Sequence, residues 1–188
     1  HGEMLGDHHM SQKNLFFEGS AHVPLLIMPP QGRSLPQNIS VEAPTDLVDL
    51  YPTILAMAGL SSPVSVSGKN LLEPVPMDRM FFGNSLNKNF CVMEEKVKLV
   101  YSAVGDHVLL FDLNTDPMEQ HNLAEDPAWQ ERKAKLWKLL LEHTAQYTPE
   151  ALDEKGQFLT YEAPHFPGDV PGRWFGFHYH DYSVDTFH

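Results

Sequence analysis

His1-Gly2-Glu3-Met4-Leu5-Gly6-Asp7-His8-His9-Met10-Ser11-Gln12-Lys13 leads into Asn14-Leu15-Phe16-Phe17-Glu18-Gly19-Ser20 and then the apolar run Val23-Pro24-Leu25-Leu26-Ile27-Met28. The first thirteen positions hold two glycines, two carboxylates, three histidines and a lysine. Such a stretch cannot enter a core without a partner for each polar group. It reads as a loop that lines a site. The run 23–28 has the unbroken apolar character of a strand buried on both faces, with Pro24 near its start and Pro29-Pro30-Gln31-Gly32 as its stop. A polar, glycine-bearing loop beside a buried strand is a common way for α/β enzymes to present reactive groups.

The spacing of His1, His8 and His9 fits neither a zinc finger nor a helical His-Glu-x-x-His site. On residue chemistry alone His8 and His9 are loop histidines, and Lys13 is a solvated charge. Downstream, residues 43–60 form a predicted helix with Leu47, Leu50, Tyr51, Ile54, Leu55 and Ala58 on one face. Thr45 or Asp46 caps its start, Gly59 ends it, and Pro52 kinks or divides it. Residues 61–79, rich in Ser, Pro and Val, read as a linker.

From residue 80 the pattern changes to short strands, 90–94, 97–103 and 107–112, turned at Glu95-Lys96 and Gly105-Asp106. Asp112, Asp116 and Glu119 read as turn caps rather than a paired-carboxylate site. Asp126-Pro127 opens a second helix whose stripe is Trp129, Lys133, Leu136, Trp137, Leu140 and Thr144. Residues 148–188 lose periodicity and end in an aromatic, histidine-rich tail.

With 188 residues, 42% of them hydrophobic, the chain has enough material for a real core. A net charge of −12 argues against nucleic acid as a partner. No apolar run approaches the ~20 residues of a membrane span. Cys91 is the single cysteine, so no disulfide forms within the chain.

His1-Gly2-Glu3, Leu5-Gly6-Asp7-His8, Lys13, Phe17-Glu18-Gly19-Ser20 and Val23 to Ile27 together resemble a signature block of the formylglycine-dependent sulfatases, in the alkaline phosphatase superfamily. Leu110-Phe111-Asp112-Leu113 with Asp116-Pro117-Met118-Glu119 and Asn122-Leu123 resembles the same family's closing signature. The resemblance implies a C-terminal portion of an α/β, alkaline-phosphatase-like sulfatase fold. Its expected parts are the end of the large catalytic domain (1–60), a linker (61–79), a small antiparallel-sheet-plus-helix subdomain (80–147) and the tail (148–188). It makes His1 a metal ligand, for Ca2+, with an Asp expected immediately before it. It makes Lys13, twelve positions after His1, the catalytic and sulfate-binding residue. His8 is a further candidate substrate contact.

The implied reaction is sulfate-ester hydrolysis by a formylglycine made from a Cys or Ser in a Cys/Ser-x-Pro/Ala-x-Arg motif. Cys91 lies in no such motif, so the nucleophile and the rest of the calcium shell are expected N-terminal to His1, and this chain alone is expected to be inactive. The implied partners are a sulfated small molecule or sugar and that N-terminal remainder. A periplasmic or secreted location follows from the resemblance only. Two rivals remain: a phosphodiester or phosphonate monoester hydrolase of the same superfamily, and an inactive fragment or binding module.

The tail has two readings. In one it is an aromatic strap that seals the small subdomain. In the other Arg173, His178 and His180 contact the leaving group at the pocket rim. Truncating the intact enzyme after Glu162 separates them. Leaving-group contact requires that turnover of the natural substrate fall by a larger factor than turnover of a small aryl sulfate.

Overall fold

The computed structural model describes residues 1–9, 13, 15–28 and 39–162, so Arg173, His178 and His180 lie outside the described residues. The chain divides into two compact units. One comprises residues 1–23 with the described residues from 82 onward, and the other is residues 24–81. The opening loop therefore belongs with the antiparallel sheet and not with the helix of residues 43–60.

β1 (Phe81–Ser85), β2 (Asn89–Glu94), β3 (Val97–Ser102) and β4 (His107–Asp112) form one four-stranded sheet in chain order. The β2–β3 register pairs Asn89 with Ser102 and Glu94 with Val97, and the β3–β4 register pairs Val97 with Asp112 and Ser102 with His107. The β2–β3 turn is the expected two-residue one, Glu95-Lys96, whereas β3 and β4 are joined by four residues, 103–106, that include the expected Gly105-Asp106. Glu95 and Lys96 have φ of 52° and 62°, and Gly105 and Asp106 have φ of 75° and 54°. Positive φ at both central residues gives a turn whose twist matches that of the strands it joins.

Two helices precede that sheet in the chain, α1 (Glu18–Ala21) and α2 (Leu50–Met57), and a third, α3 (Gln130–Tyr147), follows it. Asp126 caps the turn that enters α3, its carboxylate accepting from the Ala128 N–H at 2.8 Å, with Pro127 in the first turn. Leu136 and Leu140 of α3 pack on Phe90, Val92, Leu99, Tyr101 and Leu110. Trp129 and Trp137 flank this cluster, and Trp137 meets Tyr101 edge-on at 4.9 Å between ring centroids. Both tryptophans are partly buried against the core, in keeping with their place on the stripe.

All of β3 is buried, so the sheet is covered on both faces. Side chains alternate along a strand. Leu99 and Tyr101 face α3, and Lys98 faces the other way, toward residues 16–18 of the opening loop. Phe17 stands 5.8 Å from Phe111 of β4 between ring centroids, and a side chain on Gly83 of β1 would meet the Phe16 ring at 2.4 Å. The opening loop is thus a lid on the second face of the sheet.

The expected strand at Val23–Met28 is not formed. Residues 22–28 take no regular structure, and Leu26 is 94% exposed. A strand buried on both faces needs strands beside it to pair its backbone, and the sheet among the described residues consists of β1 to β4.

The predicted helix 43–60 is shorter and buries a different face. A 3-10 turn, Leu47–Asp49, precedes α2, and Pro52 falls in the first turn of α2, where its missing N–H costs no bond. Leu47, Tyr51 and Ile54 of the apolar stripe are exposed, whereas Asp49 and Thr53 are buried. The reason is the segment read as a linker. It folds back, and Asp49 accepts from the N–H of Lys69 at 2.7 Å and of Asp46 at 2.8 Å. Arg79 adds a bidentate pair to the same carboxylate at 2.6 and 2.9 Å. Thr53 Oγ1 accepts from the Leu71 N–H at 2.9 Å.

Burial pushes the Asp49 carboxyl up, but the donors from Arg79, Lys69 and Asp46 outweigh it and hold the pKa below the ordinary value. Stability from this group is complete above the ordinary carboxylate pKa and is lost as pH falls through the lower folded-state value. Asp49→Ala should cost about 3–5 kcal/mol by leaving Arg79 and two N–H groups unpaired. Urea unfolding at neutral and at acid pH checks both points. The wild-type chain should lose stability on acidification as Asp49 protonates, and the variant should lack that contribution to the pH dependence.

Candidate active-site loop

Three backbone segments of the opening loop meet at α1. The Gly2 N–H donates to Ser20 O at 2.8 Å and the Glu3 N–H to Gly19 O at 3.1 Å, so residues 2–3 run against 19–20. A Cβ on Gly2 would lie 2.2 Å from Gly19 O, so only glycine permits this approach. The buried Ser20 hydroxyl donates to Lys13 O at 2.8 Å. One residue therefore holds both candidate segments, His1-Gly2 through its carbonyl and Lys13 through its hydroxyl. The resemblance put His1 and Lys13 in one motif, and the fold supplies a physical link between the two segments.

His1 is exposed, and its Nδ1 lies 3.4 Å from Gly2 O. Calcium takes six to eight oxygen donors. No group of three His, Cys, Asp or Glu side chains that could hold a metal occurs among the described residues. His1 thus supplies one donor at most, and the described residues do not build a calcium shell.

His8 has φ 53° and stacks on Phe17, 4.1 Å between ring centroids and 13° between planes. It lines an open cleft of about 210 Å³ together with Met4, Asp7, Glu18, Gly19, His22, Pro117 and Met118. The Cys91 thiol is buried, and desolvation pushes its pKa up to about 12, so it carries no nucleophilic role.

Residue patterns missed the group that seats the loop. Lys98 Nζ, 2% exposed, donates to Phe16 O at 2.9 Å, to Glu119 Oε1 at 2.9 Å and to Glu18 Oε1. Glu119 is buried, has φ 55°, and accepts the Glu18 N–H through Oε2 at 2.7 Å. Glu18 also meets His22 Nδ1 at 2.7 Å. Burial raises the Glu119 pKa more than Lys98 and the Glu18 N–H lower it. At Glu18 burial is outweighed by Lys98 and then His22, and the pKa falls. At Lys98 burial is outweighed by Glu119 foremost, and the pKa rises. Asp112 and Asp116 do cap their turn, through the N–H groups of Asn114 at 3.1 Å and His121 at 2.8 Å. Glu119, read with them as a cap, is instead a buried counter-ion. The signal was a lone lysine inside an otherwise apolar strand, Val97-Lys98-Leu99-Val100-Tyr101.

The family model for the N-sulphoglucosamine sulphohydrolase C-terminal region matches residues 6–146. A choline-sulfatase of Rhizobium meliloti (strain 1021) is 34% identical over 181 residues, 87% of this chain and 34% of that protein. Arylsulfatase K of Bos taurus is 34% identical over 143 residues, 66% of this chain and 26% of that protein. Among solved structures, the phosphonate monoester hydrolase of Agrobacterium radiobacter matches with TM-score 0.58 and 31% identity over 82% of this chain and 36% of that one. The corresponding enzyme of Silicibacter pomeroyi matches with TM-score 0.62 and 27% identity over 81% and 35%. The chain spans about a quarter to a third of the length of the curated relatives it matches.

Lys98→Met or Glu119→Leu alone should each cost about 3–5 kcal/mol by stranding a buried charge, and the double variant should cost less than either. Denaturant unfolding of the three variants gives the coupling energy directly.

Proposed function

Because the chain belongs to the sulfatase family through its C-terminal region, we propose that the protein it comes from hydrolyses a sulfate ester and that Lys13 binds the sulfuryl group. The observation that carries this reading is the Ser20 junction, where Lys13 and His1-Gly2, two of the stretches that match the signature block, are fastened to one residue. An ammonium there would offset negative charge on the sulfuryl oxygens and on the departing alkoxide as the S–O bond breaks. Charge stabilisation by a preorganised group is the larger share of catalysis in reactions of this kind. Seating Lys13 by its own carbonyl leaves its side chain to serve that purpose.

His1 is one candidate ligand of the calcium that the family implies. The formylglycine that supplies the nucleophile there has no counterpart motif in this chain. The cleft beside Gly19, lined by His8, Asp7 and two methionines, is the candidate place for the alcohol part of the substrate. A sulfated small molecule or sugar is the proposed substrate class, and a location outside the cytoplasm the proposed setting.

Likeness to the two phosphonate monoester hydrolases supports a second reading, phosphonate or phosphate ester hydrolysis on the same scaffold. The intact enzyme discriminates between the two. Under the preferred reading an aryl sulfate is turned over with higher kcat/KM than the matching aryl phosphonate, and Lys13→Ala lowers that value by roughly 10²–10³ with little change in Tm. Parent-like kcat/KM in Lys13→Ala would remove Lys13 from the site, and a preference for the phosphonate would favour the second reading.

A further inference from the structure

We infer that Ser20 is a positioning residue for Lys13, held in place by the Lys98–Glu119–Glu18 cluster. The inference rests on the reading of Lys13 as the sulfuryl-binding group. Ser20 touches no reacting atom in this scheme and acts through another residue.

A lysine side chain is a flexible four-carbon stem. A catalytic ammonium must sit within about 0.5 Å of its productive place, so its backbone has to be fixed. Lys13 O accepts the Ser20 hydroxyl at 2.8 Å, and Ser20 is buried with only 3% of its surface exposed. Ser20 is itself fixed from both sides. Its N–H donates to Phe17 O at 2.9 Å, and its carbonyl takes the Gly2 N–H at 2.8 Å.

The turn below it is bolted to the sheet. Lys98 takes the Phe16 carbonyl and the Glu18 carboxylate, and Glu119 takes the Glu18 N–H. These contacts form an unbroken run of hydrogen bonds from the middle of β3 to the backbone of Lys13. A buried lysine between two carboxylates is a costly way merely to hold a loop, since each buried ion carries a desolvation penalty. It is a sound way to hold one geometry, because the left-handed Glu119 backbone, φ 55°, and three directional bonds must be satisfied together.

The run predicts a coupling that a purely structural serine would not produce. Ser20→Ala deletes the donor and keeps the backbone bonds to Phe17 and Gly2. In the intact enzyme it should lower kcat for a sulfate ester about tenfold, with KM changed less than twofold and Tm within about 3 °C of the parent. In a Lys13→Ala background the same change should cost nothing further, because what Ser20 positions is gone. Independently of turnover, amide hydrogen exchange in the peptide carrying Lys13 should speed up in Ser20→Ala while β3 stays protected.

Parent-like kcat in Ser20→Ala, or a full additive loss in the double variant, overturns the inference. So does unchanged exchange in the Lys13 peptide. Full activity in Lys13→Ala would instead sink the reading of Lys13, and the exchange experiment would still decide whether Ser20 holds that segment. Should Ser20→Ala not fold, Ser20→Cys, near in shape but a weak donor, replaces it with the same expected outcomes.

Discussion

An ammonium buried inside a β-sheet is the constraint to which the first unit is built. Lys98 stands on β3 with 2% of its surface exposed. Removing such a charge from water costs several kcal/mol, and the cost is bearable only if all three of its protons find acceptors. They do, at Phe16 O, Glu18 and Glu119. All three acceptors lie outside the sheet, so the sheet cannot satisfy its own lysine. The opening loop and the turn after β4 must close over it.

That requirement explains the unequal behaviour of the two carboxylates. One cation cannot neutralise two anions, and the cluster carries a surplus negative charge. Glu18 keeps its charge more readily, because it is partly open to solvent and has His22 as a second partner. Glu119 is enclosed and bears the desolvation, so its pKa rises. The same carboxylate takes the Glu18 N–H, a backbone donor at the start of a helix of four residues that would otherwise be left without an acceptor. Charge pairing and backbone satisfaction are met by one side chain. In the second unit Asp49 plays a matching part, gathering Arg79 and two backbone N–H groups around a carboxylate with no exposed surface.

The opening loop draws two kinds of rigidity from this arrangement. Phe16 and Phe17 seat it by apolar contact on β1 and β4, which resists separation without fixing direction. The hydrogen bonds through Lys98, Glu18 and Ser20 fix direction. A loop that carries a charged candidate group such as Lys13 needs both, since its polar content gives it no core of its own.

The sequence by itself determined the strands β2 to β4 and the capped helix α3 packed on their sheet. Each of these rests on interactions between residues near in the chain: the two-residue turn at Glu95-Lys96, the turn containing Gly105-Asp106, the Asp126 cap, and period-2 and period-3.6 patterns. It also marked the opening stretch as a loop, because glycines, histidines and a lysine in one short stretch exclude a core strand or helix. Tertiary structure alone decided what seats that loop. Lys98, Glu18 and Glu119 are separated by 80 and 21 positions, and nothing local marks such a pairing. The same holds for Ser20 and Gly2, whose contact depends on a backbone approach, and for Asp49, which turned a predicted linker into part of a packed unit. Val23–Met28 shows the converse: its composition asks for a buried strand, but a strand exists only where neighbours complete its hydrogen bonds, and composition carries no information about neighbours.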